Sequence, residues 1–314
     1  MTAMTPGTVL ITGPTGGLGR ETTLALARRP HAERPDLLLV GRPGDALSSV
    51  AAEARAEGAV VHDIGADLTR LSDVRAAAGA VGELVAAGQT RPLRGLIANA
   101  GLMSVDTHTA SADGYELTFA VNYLAHAQLI GELRHQFSAP ARIVLVGSNT
   151  YHQNIFRKIL HVAPARWRDP IEIARPLPPD EPATMEHSGI AYSNAKLAIL
   201  YYAHELQRHL PDGVTVAVFE PGFMPGTGLS RGFGGAAVQR IGRAIQAIPG
   251  VSSPARSGPL LASVAVDARW AHLKDGAFVV KNAERPVQPF AHDRVREQQL
   301  WAATAHLLPT LNWS

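Results

Sequence analysis

Tyr192 and Lys196 stand four positions apart in Ala191-Tyr192-Ser193-Asn194-Ala195-Lys196. On a helix that spacing puts both side chains on one face. A cation there favours the ionised form of the phenol, whose ordinary pKa is about 10. The pair therefore reads as proton-transfer machinery, although the same spacing also describes a plain solvated pair. A second pattern far upstream argues for the chemistry: Ile11-Thr12-Gly13-Pro14-Thr15-Gly16-Gly17-Leu18-Gly19-Arg20. An apolar strand, a glycine-rich turn and a helix supply what a pyrophosphate requires. Glycine lets backbone N–H groups approach the phosphates, and the helix N-terminus offers partial positive charge. Together the two patterns point to a nucleotide-dependent redox enzyme.

The end of the second strand selects the nucleotide. An acidic residue there would hold the ribose 2′-hydroxyl of NAD. Val40-Gly41-Arg42-Pro43 has none and offers Arg42 instead. A guanidinium suits a 2′-phosphate because it donates several hydrogen bonds in a fixed fork. Arg20, at the start of the first helix, is a candidate second contact. NADP(H) is the expected cofactor.

These residues need a scaffold, and short apolar runs alternating with helical patterns describe one. Strands are expected at 8–11, 36–40, 59–61, 96–100, 142–146 and 214–219, with helical patterns at 20–29, 45–57, 72–87 and 115–137. The strand runs are consecutive apolar residues, as sheets buried on both faces require. The fold class is α/β: one Rossmann-type, doubly wound parallel sheet with helices on both faces. A single domain over 1–314 is expected, with an insertion near the active site at 151–189 and a substrate-binding lid at 223–257. Both additions belong at the carboxyl ends of the strands, where such sheets bind ligands. A last amphipathic helix is expected around Val295, Leu300, Trp301, Leu307 and Leu308, docked on the core or on a partner subunit.

Composition removes several function classes. Lys+Arg 29 against Asp+Glu 27 leaves no concentrated basic stripe for nucleic acid. No apolar run is long enough to cross a bilayer, and Met1 to Gly7 shows no signal pattern, so a cytoplasmic protein is the expectation. The chain has no cysteine, which excludes thiolate catalysis and Cys-ligated metals. Its thirteen histidines show no ligand spacing with a matching carboxylate, and no metal is expected.

Assembled in order, the residues resemble the short-chain dehydrogenase/reductase family, from Thr8 to about Phe219. Thr12-Gly13-x-x-x-Gly17-x-Gly19 is similar to that family's cofactor turn, with Thr15, Gly16 and Leu18 inside it. Asp67-Leu68 stands where the family's adenine-contacting acid is found. Asn99-Ala100-Gly101 resembles its Asn-Ala-Gly segment beside the cofactor. Asn122 and Ser148 match its active-site asparagine and serine, and Tyr192 and Lys196 complete the tetrad. Pro221-Gly222 follows the sixth strand as the family pattern has it. Within the family the likeness runs to retinol dehydrogenases and protochlorophyllide reductases. Gly41-Arg42, His152 and Pro221-Gly222-x-x-x-x-Thr227-Gly228-Leu229 carry it. The chain departs from the pattern at Pro14, at Ala98, and in the 44 positions that separate Ser148 from Tyr192. It also lacks the cysteine that protochlorophyllide reductases use.

The resemblance implies a mechanism. Tyr192 is general acid in reduction and general base in oxidation. Lys196 stabilises the phenolate and reaches the nicotinamide ribose, Ser148 binds the substrate oxygen, Asn122 anchors a water, and Thr227 holds the carboxamide. The substrate is expected to be a small, fairly apolar ketone, aldehyde or alcohol. Phe156, Ile159, Leu160, Val162, Trp167, Phe223, Met224, Leu229 and Phe233 would either line its pocket or pack the insertion onto the core. Alternatives are reduction of a conjugated C=C bond and a nucleotide sensor without turnover. The resemblance also implies a homo-oligomer.

Overall fold

The computed structural model describes residues 6–153, 163–224 and 251–311. Its frame is one eight-stranded sheet in the order β3-β2-β1-β4-β5-β6-β7-β8. The strands are β1 (Thr8–Thr12), β2 (Asp36–Gly41), β3 (Val61–Gly65), β4 (Leu93–Ala98), β5 (Ala141–Val146), β6 (Val214–Glu220), β7 (Ala277–Val280) and β8 (Ala283–Glu284). All pairings from β3 to β7 are parallel, and only β8 runs antiparallel. The order reverses between β1 and β4, which opens the crevice where such sheets bind nucleotides.

Every residue of β1, β2 and β5 is buried, as the unbroken apolar runs require. Side chains alternate between two layers. Leu10, Leu38 and Val40 pack with α3 (Leu71–Ala86), α5 (Ala125–Leu133) and α7 (Met185–Gln207). Val9, Ile11, Leu37 and Leu39 pack with α1 (Gly17–Ala27), α2 (Asp45–Ala56) and α8 (Pro254–Val266).

Three elements differ from expectation. The third strand starts at Val61 and not Ala59, and as the sheet edge it is only partly buried, with Val61 and Ile64 inside and Asp63 and Gly65 exposed. An edge strand needs no continuous apolar run, so Val61-His62-Asp63-Ile64 did not read as a strand. The helix expected over 115–137 is shorter and broken. It comprises α4 (Leu117–Phe119), a π-helical turn at Ala120–Leu124, and α5. Glu116 caps its start, accepting from the Thr118 and Phe119 N–H groups. β7 and β8 were not anticipated, since a four-residue run and a two-residue run carry little periodic signal.

The described part of the insertion after residue 162 is packed against the body. The short helix α6 (Pro170–Ile173) lies in it, Glu116 N–H donates to Ala174 O, and Leu177 N–H donates to Thr107 O. Trp167 meets Tyr201 edge-on at 4.9 Å, and Met224 packs against the sheet's other layer, so both join the core. The final helix, α9 (Arg294–Leu307), docks on the core of its own chain. Tyr115 Oη donates to Leu307 O, Thr304 bonds Tyr123, and Leu300, Leu307 and Leu308 are buried. Val295, expected on the apolar face, is exposed. Among the described residues no helix is long and apolar enough to cross a membrane.

Candidate active site

The glycine turn is shaped by close approach. Gly13 has φ +65°, and a Cβ there would lie 2.9 Å from Ala100 Cα. A Cβ on Gly19 would lie 2.1 Å from Gly13 O. Only glycine lets α1 begin this close to the turn. Gly16 and Gly17 face open space: an added Cβ meets nothing within 4 Å. The N-terminus of α1 carries no side-chain cap and no acidic residue in its first turn. Its N–H groups and dipole are therefore free for an anion, and a dinucleotide pyrophosphate fits this turn. Leu18 is buried, while Thr15 is exposed beside the end of β2.

Behind the turn lies a hydrogen-bond relay that sequence reasoning missed. Thr12 Oγ accepts from the N–H groups of both Asn99 and Ala100 at 3.0 Å. Its hydroxyl then donates to His126 Nε2 at 2.9 Å, which leaves the proton of the neutral imidazole on Nδ1, 3.2 Å from Asn122 O. Burial, with the nearby Lys196 charge, pushes His126 down to about 4, so the ring stays neutral. The Asn99 amide donates to Thr12 O and Gly13 O. A histidine one turn past the Asn122 position was the only signal available.

Asn122 sits within the π-helical turn. Its amide exchanges two 2.8 Å bonds with the Leu102 backbone, so the side chain is occupied by the chain itself. Its backbone carbonyl lies 3.2 Å from His126 Nδ1. Gly101 lies against the same amide, where a Cβ would come within 3.1 Å of Asn122 Oδ1.

Lys196 is buried on α7. Its ammonium donates to Val146 O at 2.7 Å and lies 5.6 Å from the centre of the Tyr192 ring. Burial pushes its pKa down to about 8. Val146 is the last residue of β5, and Ser148 follows two positions later, capping a short turn at Asn149–Tyr151. Lys196 thus ties the Tyr192 helix to the strand end that carries Ser148. Glu220, at the end of β6, secures the same region. Its buried carboxyl accepts the N–H groups of Gly222 (2.9 Å) and Asn149. Burial raises its pKa, and those bonds oppose the rise. Gly222 has φ +87°, and Pro221 O accepts from Ser257.

Other expected residues have structural partners. Asp67 accepts from Thr69 N–H, leading into α3, and Leu68 is buried. Arg20 pairs with Glu21 and Glu53, so a role in holding a phosphate would require it to leave an exposed ion pair, which costs little. Arg42 is exposed and has no hydrogen bond or ion pair among the described residues. Gly41 before it lies against Pro14 and Thr15 of the turn. Thr227, with Phe156, Ile159, Leu160, Val162, Leu229 and Phe233, lies outside the described residues. A cavity of about 240 Å³ beneath Pro6, Arg94 and Asp267 is remote from these groups.

The short chain dehydrogenase family model matches residues 7–163. Human retinol dehydrogenase 13 is 31% identical over 227 residues, 70% of this chain and 60% of that protein. A protein of Streptomyces sp. (strain C5), named as a candidate daunorubicin C-13 ketoreductase, is 30% identical over 305 residues, 96% of this chain and 92% of its own. A solved short chain dehydrogenase from Burkholderia cenocepacia J2315, in complex with NADP, has a TM-score of 0.63. It covers 90% of this chain and 99% of its own at 21% identity, a likeness of fold. The chain belongs to the short-chain dehydrogenase/reductase family, oxidoreductases that use nicotinamide cofactors on small molecules. It spans 60% of the length of the human relative and 63% of two Streptomyces relatives.

Proposed function

We propose that the protein is an NADP(H)-dependent reductase of a fairly apolar ketone or aldehyde, or the corresponding alcohol dehydrogenase, with Tyr192 as general acid and base. The observation that carries this reading is the buried Lys196 ammonium, held on Val146 O and 5.6 Å from the Tyr192 ring centre. At that separation a unit charge favours a phenolate by about 0.7–3 kcal/mol for effective dielectrics of 80 to 20.

The bound cofactor supplies or accepts the hydride. Ser148 donates a hydrogen bond to the substrate oxygen, and Tyr192 donates its proton there as charge develops during reduction. Lys196 stabilises the phenolate left behind. The Asn122 carbonyl holds water through which the proton is replaced. Arg42 binds the 2′-phosphate, Asp67 and Leu68 border the adenine, and Asn99, Ala100 and Gly101 line the nucleotide. Thr227 holds the carboxamide of the cofactor, and the 223–257 segment belongs to the substrate side in this reading. The carbonyl reaction is preferred over C=C reduction because relatives are named for retinol dehydrogenation and ketoreduction.

Replacing Tyr192 by Phe tests the assignment. Turnover of a panel of apolar ketones and aldehydes, followed by NADPH absorbance, is expected to fall about 10²–10⁴-fold while NADPH affinity stays within about twofold. Retention of more than a tenth of the activity would contradict the proton role.

A further inference from the structure

Far from the glycine turn, three donor atoms converge where α7 meets the start of α9. His204 Nδ1 lies 2.9 Å from Glu297 Oε1, and His292 Nδ1 lies 3.1 Å from the same oxygen. The two Nδ1 atoms are 3.3 Å apart. Glu297 is fully buried, His204 nearly so, and His292 is mostly exposed.

As a hydrogen-bond cluster this arrangement is poor. If both neutral imidazoles donate from Nδ1 to Glu297 Oε1, two N–H groups crowd one oxygen with their nitrogens only 3.3 Å apart. A cation removes the conflict, because all three atoms then direct lone pairs at one point. The spacing fits as well. A tetrahedral ion with bonds of about 2.0–2.1 Å separates its ligands by roughly 3.3 Å. The edges here are 2.9, 3.1 and 3.3 Å. Two imidazoles and one carboxylate are a donor set that zinc takes readily.

The surroundings supply the outer contacts such a site uses. Arg208 Nη2 lies 2.9 Å from Glu297 Oε2, the oxygen turned away from the imidazoles. Arg208 and Arg294 both reach Glu205. His204 packs edge-on against Gly276, where a Cβ would come within 2.5 Å of the ring, so the ring is held in place.

We propose that His204, His292 and Glu297 form a three-ligand site for a zinc-class divalent ion, with water as the fourth ligand. No sequence spacing announces it, since His204 lies 88 positions before His292. The site pins the first turn of α9 to the far end of α7. His204 is eight residues from Lys196, about 12 Å along the helix axis. The ion is therefore structural and takes no part in turnover.

The test uses the whole chain, stripped with EDTA, loaded with zinc chloride and gel-filtered. Zinc per chain and Tm are then measured for the wild type, for His292→Ala, and for His31→Ala, an exposed histidine between α1 and β2. The expected result is one zinc per chain and a Tm rise of several degrees in the wild type and in His31→Ala, with both effects lost in His292→Ala. Absence of retained zinc in the wild type, or equal retention by His292→Ala, would overturn the proposal. Because His292 is a surface residue, the variant keeps the fold, and its unliganded Tm confirms that directly.

Discussion

The turn after β1 is made from backbone approach: Gly13 against Ala100, Gly19 against Gly13 O, and the Thr12 hydroxyl between two N–H groups. The turn after β5 is held by side chains that arrive from far along the chain, Lys196 on Val146 O and Glu220 on Asn149 N–H. In the proposed reading the first would bind its ligand with backbone atoms, which hardly vary between proteins. The second presents hydroxyl, phenol and ammonium groups whose placement depends on α7 and β6. A nucleotide site can be built from local geometry, whereas a proton-transfer site needs tertiary structure to hold charge in a dry place.

The loss of turnover in Tyr192→Phe would separate the two turns most sharply, since the nucleotide end remains intact. Next in size is Gly19→Ala. A Cβ 2.1 Å from a backbone oxygen forces the turn open, and denaturant unfolding is expected to show a loss of about 2–3 kcal/mol together with weakened nucleotide binding. An unchanged stability would mean that the turn is looser than described. Thr12→Val leaves the Asn99 and Ala100 N–H groups without their acceptor and is expected to cost about 1–3 kcal/mol. His126→Phe on its own should cost less, because the threonine keeps both donors.

The first turn was legible because its parts are contiguous. Strand, glycines and helix lie within Thr8 to Ala27, and glycine is required there for reasons of space that composition exposes. Tyr192 and Lys196 were legible because one helix carries both. His126 and Glu220 were not. Each reaches a partner far off in sequence, His126 the Thr12 hydroxyl and Glu220 the Asn149 N–H, and a lone buried histidine or glutamate has no spacing to betray it. The edge strand β3 escaped for a related reason: His62, Asp63 and Gly65, half-buried or exposed at the edge, interrupt its apolar run. The insertion's path across the 101–116 loop was likewise set by tertiary hydrogen bonds.

Smaller effects refine the comparison. Arg42→Ala should weaken NADPH about tenfold, through loss of charge-assisted hydrogen bonds, and leave NADH nearly unchanged. Equal losses would remove the phosphate assignment. The pH dependence belongs to the second turn. Lys196 titrates near 8, so the ammonium that stabilises the phenolate is lost as pH rises through about 8, and kcat/KM for reduction should fall there. The sign for stability is opposite. Its folded value lies below the ordinary 10.5, so between about 8 and 10.5 the unfolded chain binds the proton that the folded chain has lost. Lys196's contribution to stability therefore rises with pH across that window. A flat rate profile from pH 7 to 9.5 would remove Lys196 from the proton-transfer step.

The most direct test of the account is a parallel fluorescence titration of the purified protein with NADPH and NADH. Binding of NADPH at least tenfold tighter than NADH is the result predicted by the open glycine turn and the exposed Arg42 beside it. Tighter NADH binding would contradict the role of Arg42, and failure to bind either nucleotide would contradict the catalytic reading as a whole.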